Sequence, residues 1–244
     1  MATENWVKLN LPSQCLVYPD VKKEDVQIRA FKGKDEKLVA ELTSDNFDKK
    51  SLAVLRQVTK GIDPAKLTLG DRMYILLWEA INSYSKDFTV EFECEHCWQK
   101  SEYVVDLSKD IDSKNLPADY AEPYSVTLPE SKDTIKLKLL RVDDLIKSDE
   151  LHKSGKNIWL FRYALSIVDN EKGIWDKMEY LENLGTKDLM VIRAFQDKFQ
   201  HGPDMKYSYT CKKCEATGVM PVPFRLEMLL PYGEGLRKRL GDAV

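Results

Sequence analysis

Cys94-Glu95-His96-Cys97 and Cys211-Lys212-Lys213-Cys214 are two thiol clips of the form C-x-x-C, and the rest of the chain is expected to bring them together. Two such clips supply the four soft ligands of a tetrahedral Zn²⁺ site. Asp87 to Glu93 (DFTVEFE) alternates apolar and polar residues into the first clip, and Ser101 to Leu107 (SEYVVDL) leads away from it. Met205 to Thr210 (MKYSYT) and Val219 to Phe224 (VMPVPF) do the same around the second. Each clip is therefore expected at a hairpin tip. That is the local form of a zinc ribbon, where backbone N–H groups turn toward sulfur and stabilise thiolate.

A compact ribbon places its second clip about 15–20 residues after the first. Here Cys97 and Cys211 are 114 positions apart, so a metal held by Cys94, Cys97, Cys211 and Cys214 ties distant segments together. Other uses of the clips fit less well. A thioredoxin-like redox pair opens a helix after a strand, and neither clip is followed by helical periodicity. Disulfides need an oxidising compartment, and the amino terminus (MATENWVKLNLPSQ) has neither the basic nor the apolar region of a secretory segment. Catalytic zinc needs an open coordination position, which four thiolates do not leave. His96 lies between ligands and is expected to face solvent, and Cys15 reads as a small, partly buried residue.

The chain has 244 residues, 43% hydrophobic and 32% charged, the balance of an ordinary soluble protein. No apolar run approaches the roughly 20 residues of a membrane span, and a reducing cytoplasm is expected. A net charge of −3 argues against phosphate-backbone binding as the main source of affinity. The basic run Leu236 to Leu240 (LRKRL) reads as a solvated terminal helix.

Residues 1–25 read as an extended arm. Its Trp6, Val7, Leu9, Leu11, Leu16, Val17 and Tyr18 follow no helical period, so the arm either docks on a neighbour or covers its own core. With Trp98, which sits at a hairpin tip, Trp6, Val7, Leu9, Leu11, Val17 and Tyr18 are the candidate partner-binding residues. A strand at Val26 to Phe31, a short helix at Lys34 to Leu42, a helix through Leu52, Leu55, Val58 and Ile62, and an apolar helix at Met73 to Tyr84 then lead into the first hairpin. The order recurs from Ile135 to Leu140 onward. Val142 to Leu151 follows as a helix, Ile158 to Arg162 matches Leu52 to Arg56 at an offset of 106, and after an insertion around Ile174 to Leu184 Gly185 to Phe199 parallels Gly70 to Tyr84. The clips are offset by 117. The fold class expected is α+β, two pseudo-repeated strand–helix–helix–hairpin halves joined by one split zinc-ribbon site, with chance recurrence as the competing explanation. The expected organisation is an arm (1–25), a first half (26–107), a linker (108–134), a second half (135–230) and a C-terminal tail (231–244).

Nothing else in the sequence carries an enzyme's signature. His96, His152 and His201 have no triad context and read as surface residues. Asp35-Glu36 and Asp143-Asp144 open helices, where carboxylates favour the dipole. Phosphate-binding glycine motifs are absent.

The chain resembles the baseplate hub and hub-assembly proteins of T4-like contractile-tailed bacteriophages. The likeness lies in Leu11-Pro12-Ser13 followed by Val17-Tyr18-Pro19, the strand and helix of Val26 to Leu42, Ile62-Asp63-Pro64 followed by Leu67-Thr68-Leu69-Gly70-Asp71-Arg72, and a C-x-x-C after a strand. It covers residues 11–105 well and the second half more loosely. The family's first clip reads Cys-Pro-x-Cys followed by Gly or a polar residue, so Glu95 and Trp98 depart from it without removing a ligand. The resemblance implies a non-enzymatic tail-morphogenesis protein, a component or assembly chaperone of the baseplate hub with other hub or tail proteins as partners. It would be found in the host cytoplasm during assembly and, for a retained component, in the virion baseplate. The alternative of a different class is a zinc-ribbon nucleic-acid-binding or transcription-regulatory protein, for which Trp98, Lys100, Lys212 and Lys213 speak and the acidic charge does not. An oxidoreductase using the clips is a third.

Overall fold

The computed structural model describes residues 5–152 and 158–229. In chain order its elements begin with β1 (Val7–Lys8), β2 (Gln27–Ile28), α1 (Gly33–Ala40), α2 (Phe47–Val58), β3 (Thr59–Lys60), α3 (Leu69–Ser83), β4 (Asp87–Glu93) and β5 (Lys100–Asp106). Then come β6 (Ser113–Lys114), β7 (Tyr124–Thr127), β8 (Thr134–Leu137), α4 (Val142–His152), α5 (Ile158–Ser166), α6 (Ile174–Glu182), α7 (Thr186–Lys198), β9 (Gly202–Pro203), β10 (Lys206–Thr210) and β11 (Thr217–Pro221). Helices and small antiparallel sheets are thus mixed, and no sheet among the described residues exceeds three strands. The stretch expected as an insertion is α6, and 108–134 carries β6 and β7. The C-terminal tail 231–244 lies outside the described residues.

The chain divides into two compact units, each assembled from three separated segments. The first takes Met1–Ile28, Thr59–Arg72 and Asn115–His201; the second takes Arg29–Val58, Met73–Lys114 and Gly202–Val244.

In the first unit β1, β2 and β3 form one antiparallel sheet in that order. Gly61 follows it at φ +80, and a Cβ there would meet Asp25 O at 2.1 Å, so only glycine fits. The loop after β1 folds inward and buries Leu9, Leu11, Val17 and Tyr18. The Tyr18 hydroxyl donates to Asp71 Oδ2 (2.6 Å) and accepts from Thr68 N (2.8 Å), while Ser13 N donates to Asp71 Oδ1 (2.9 Å). Thr68 Oγ1 lies 2.6 Å from His201 Nε2, and His201 Nδ1 lies 3.0 Å from Phe199 O. A carbonyl only accepts, so Nδ1 carries a proton. His201 is thus a buried partner in this polar node, where the sequence suggested a surface residue. Gly70 makes room for it, since a Cβ there would meet His201 O at 2.3 Å.

The second unit contains α1 and α2. Arg29, 2% exposed, donates to Asp35 at 2.6 Å and to Gln57 O at 2.9 Å. Burial works against the charged form of Asp35, but the Arg29 guanidinium and the Lys32 N–H outweigh it and hold the carboxyl below its ordinary range. Glu79, on α3, is fully buried; Ser83 Oγ donates to its Oε2, and burial raises its pKa to about 8.

Several bonds recur along the chain with conserved geometry. Ser13 N to Asp71 Oδ1 (2.9 Å) is matched by Glu130 N to Asp188 Oδ1 (2.8 Å), both members shifted by 117. Arg29 to Asp35 is matched by Lys138 to Asp144, and Lys32 N to Asp35 Oδ2 by Arg141 N to Asp144 Oδ2, all shifted by 109. Arg29 N to Val58 O (3.1 Å) has its counterpart in Lys138 N to Ser166 O (2.8 Å). The strand pair Val7 with Ile28 corresponds to Tyr124 with Leu137. Non-glycine residues with positive φ recur too, at Cys15 and Lys132 and at Trp98 and Glu215. At Val58 and Ser166 the shift is 108, against the 106 read from the apolar positions of that helix.

Candidate metal centre

The two clips lie in the second unit, each between antiparallel strands. β4 and β5 pair from Asp87 with Asp106 to Glu93 with Lys100, and β10 and β11 from Lys206 with Pro221 to Thr210 with Thr217. Both tips close alike. Cys94 N donates to Gln99 O (3.0 Å) and Trp98 N to Cys94 O (2.8 Å); Cys211 N donates to Ala216 O (2.8 Å) and Glu215 N to Cys211 O (3.0 Å). The last residue of each tip is left-handed, Trp98 at φ 58 and Glu215 at φ 60, which costs an L-residue on the order of 1–2 kcal/mol. Neither clip opens a helix, so the thioredoxin arrangement is absent here.

The second hairpin is brought beside the first by a short ladder. β6, after the first hairpin, pairs with β9, just ahead of the second, and Lys114 Nζ meets Asp204 at 2.6 Å. Aromatic rings then fill the space between hairpins: Phe92 lies 5.0 Å from Tyr209, and Tyr103 lies 5.5 Å from Tyr209 and 6.5 Å from Tyr207. Gly218 faces Tyr209 across the strands, and a Cβ there would approach the ring to 2.9 Å. Lys212 Nζ donates to Glu102 O (2.6 Å) and sits 5.3 Å from the Tyr103 ring centre.

This packing brings four sulfurs together. The ligand atoms of Cys94, Cys97, Cys211 and Cys214 all lie within 4.8 Å of one another. Cys94 Sγ is 3.8 Å from Cys214 Sγ, and Cys97 Sγ is 3.6 Å from Cys211 Sγ. A tetrahedral ion with metal–sulfur bonds of about 2.3 Å requires sulfur–sulfur edges of about 3.8 Å. The donor set and its spacing therefore fit a four-thiolate metal site. Cys94 and Cys211 are buried, Cys97 is half-buried and Cys214 exposed. The backbone N–H groups of Cys214 and Lys213 pull the Cys211 thiol down to about 6, and those of His96 and Cys97 lower Cys94. For Cys214 the Ala216 N–H pulls downward, but burial and the three neighbouring sulfurs together push the thiol up to about 12. Crowded sulfurs cannot all ionise without a cation to share.

The remaining candidate residues are scattered. Leu9, Leu11, Val17 and Tyr18 are buried in the first unit. Trp6 is half-buried under the Lys60 ammonium, 3.9 Å from its ring centre, and Val7 and Leu16 are each 37% exposed. Trp98 is 72% exposed and His96 is exposed. The sequence reading missed the node of Ser13, Tyr18, Thr68, Asp71 and His201; its only local trace was the run Thr68-Leu69-Gly70-Asp71. No helix among the described residues is long and apolar enough to cross a membrane.

No curated protein and no solved structure matches the chain. The family model described as T4 bacteriophage base plate protein matches residues 13–229, nearly the whole chain, so this protein belongs to the T4 baseplate family.

Proposed function

We propose that the chain is a non-enzymatic component or assembly factor of the phage baseplate hub, built as two pseudo-repeated halves and clasped by one structural Zn²⁺. The observation that carries this reading is the meeting of four sulfurs from hairpins more than 100 residues apart, in a chain of the baseplate family. Four soft thiolates favour zinc and leave no position for water or substrate, which makes the ion a clasp. The bonds that recur with shifts of 109 and 117 support the two halves as copies of one unit. Cys94, Cys97, Cys211 and Cys214 are the ligands in this reading.

A protein of this kind works by presenting surfaces to other hub or tail proteins in the infected cell and in the virion baseplate. Among the described apolar residues of the N-terminal segment, Trp6, Val7, Leu16 and Val21 keep accessible surface that can touch a partner, whereas Leu9, Leu11, Val17 and Tyr18 hold its own core. The test is affinity capture from phage-infected cells with the full chain and with a Val7→Glu, Leu16→Glu variant. Recovery of hub proteins by the full chain and their loss with the variant supports the reading; recovery of no tail protein by either overturns it.

A further inference from the structure

The four sulfurs contain two close pairs, and each pair joins unlike members. Cys94 and Cys211, the first residues of their clips, are buried, whereas Cys97 is half-buried and Cys214 exposed. Cys94 Sγ lies 3.8 Å from Cys214 Sγ, and Cys97 Sγ lies 3.6 Å from Cys211 Sγ. Each buried sulfur therefore rests against the outer sulfur of the opposite hairpin. An accessible thiol beside a sheltered one is the arrangement of an oxidisable cysteine with its resolving partner.

Bonds between the hairpins also ask little of the structure. A disulfide of about 2.05 Å requires each cross pair to close by less than about 2 Å, within the reach of side-chain rotation. Lys213 N, donating to Cys211 Sγ at 3.4 Å, helps to fix that sulfur beside Cys97. The rings behind the sulfurs hold the hairpins in register meanwhile, with Tyr209 5.0 Å from Phe92 and 5.5 Å from Tyr103.

We propose that the clasp has a second, metal-free form, in which hydrogen peroxide converts the four thiols into two disulfides that cross the hairpins, Cys94–Cys214 and Cys97–Cys211. In each pair peroxide oxidises the outer sulfur to a sulfenic acid and leaves as water; the buried sulfur then attacks it, the S–S bond forms, and the sulfenic oxygen departs as a second water. One peroxide thus takes two electrons from two thiols, and the four sulfurs no longer bind an ion. Both forms tie the same segments, because the bonds join residues 120 and 114 positions apart. The pairing rests on the sulfur geometry and is independent of the zinc assignment.

The experiment treats the full, reduced chain with about two molar equivalents of hydrogen peroxide, one for each disulfide, blocks the remaining thiols and maps the linked peptides. Trypsin cuts after Lys86, Lys100, Lys206, Lys212, Lys213 and Arg225, so Cys94 and Cys97 share peptide 87–100, Cys211 lies in 207–212 and Cys214 in 214–225. The expected product is one assembly of these three peptides, with loss of each as a separate species. A second cut after Glu95 should leave 96–100 joined to 207–212, which assigns Cys97–Cys211. Peptide 87–100 alone with an internal bond, beside 207–212 joined to 214–225, would overturn the proposal, as would 96–100 joined to the Cys214 peptide. Oxidised in guanidinium, the unfolded chain should favour bonds within each clip, because short loops close more readily; the cross-hairpin pattern there too would show that the fold does not direct it. In a chelator the oxidised chain should melt above the reduced one, since closing long loops constrains the unfolded state, and melting no higher would overturn the second clasp. Zinc content is read before oxidation: a zinc-free chain would count against the zinc clasp, while its peptides would still decide the pairing.

Discussion

Replacing Tyr18 by Phe removes one oxygen from the centre of the polar node and leaves the buried ring in place. That oxygen donates to Asp71 Oδ2 at 2.6 Å and accepts from Thr68 N at 2.8 Å, and all three residues are at most 5% exposed. A hydrogen bond to a charged group contributes about 1.5–3 kcal/mol, and an orphaned buried N–H costs about 1–3 kcal/mol. The two losses share one site and are not fully additive, so the expected cost is about 3 kcal/mol. Denaturant unfolding at constant metal load measures it. Tyr84→Phe is the internal control: its hydroxyl makes a 3.2 Å bond to the half-buried Glu36, which is worth about 1 kcal/mol at most. A loss below about 1 kcal/mol for Tyr18→Phe, or one no larger than the control's, would refute the view that the node fastens the N-terminal segment.

Other consequences are equally open to measurement. Burial raises the Glu79 pKa from 4.5 to about 8, so the folded chain keeps a proton that the unfolded chain releases between those values. Its contribution to stability is complete below about pH 4.5 and disappears as pH rises through 8; relative to Glu79→Gln, wild type should lose on the order of 4 kcal/mol across that window, and parallel pH profiles would contradict this. Gly218→Ala drives a methyl against the Tyr209 ring and should cost about 1–3 kcal/mol in melting experiments while weakening metal retention. Asp188→Ala strips the acceptor from Glu130 N and Ser131 N and should cost about 2 kcal/mol, with Asp188→Asn recovering part of it.

How much of this was legible in sequence depended on how local the cause was. The knuckles were readable because cysteine spacing and strand alternation sit within a few residues of each other, and β4, β5 and β10 lie within two residues of their expected bounds. The apolar helix was also readable, although α3 starts at Leu69 rather than Met73 because the chain turns helical directly after Thr68, whose hydroxyl accepts from Asp71 N (3.2 Å). The strand expected over Val26 to Phe31 shrinks to Gln27–Ile28. Beyond it Arg29 turns inward to Asp35 and Gln57, contacts that alternation cannot foresee. The burial of His201 depends on Thr68, 133 positions away, and the assembly of each unit from three separated segments has no signature in any single window. The N-terminal segment shows the limit plainly, since Leu9, Leu11 and Tyr18 have the composition of a docking arm and the burial of a core.

Metal analysis of the full chain purified under reducing conditions, combined with thiol titration, shows whether the four cysteines hold an ion. One zinc per chain is expected, released as Cys94, Cys97, Cys211 and Cys214 are modified, with Cys15 reacting without release. Because structural zinc contributes on the order of 10 kcal/mol, comparable to a whole domain's stability, Cys94→Ala should lose both the ion and the folded hairpin pair. Protein that is folded and zinc-free, with the four thiols titrating independently or paired as disulfides within each clip, would rule out a zinc clasp.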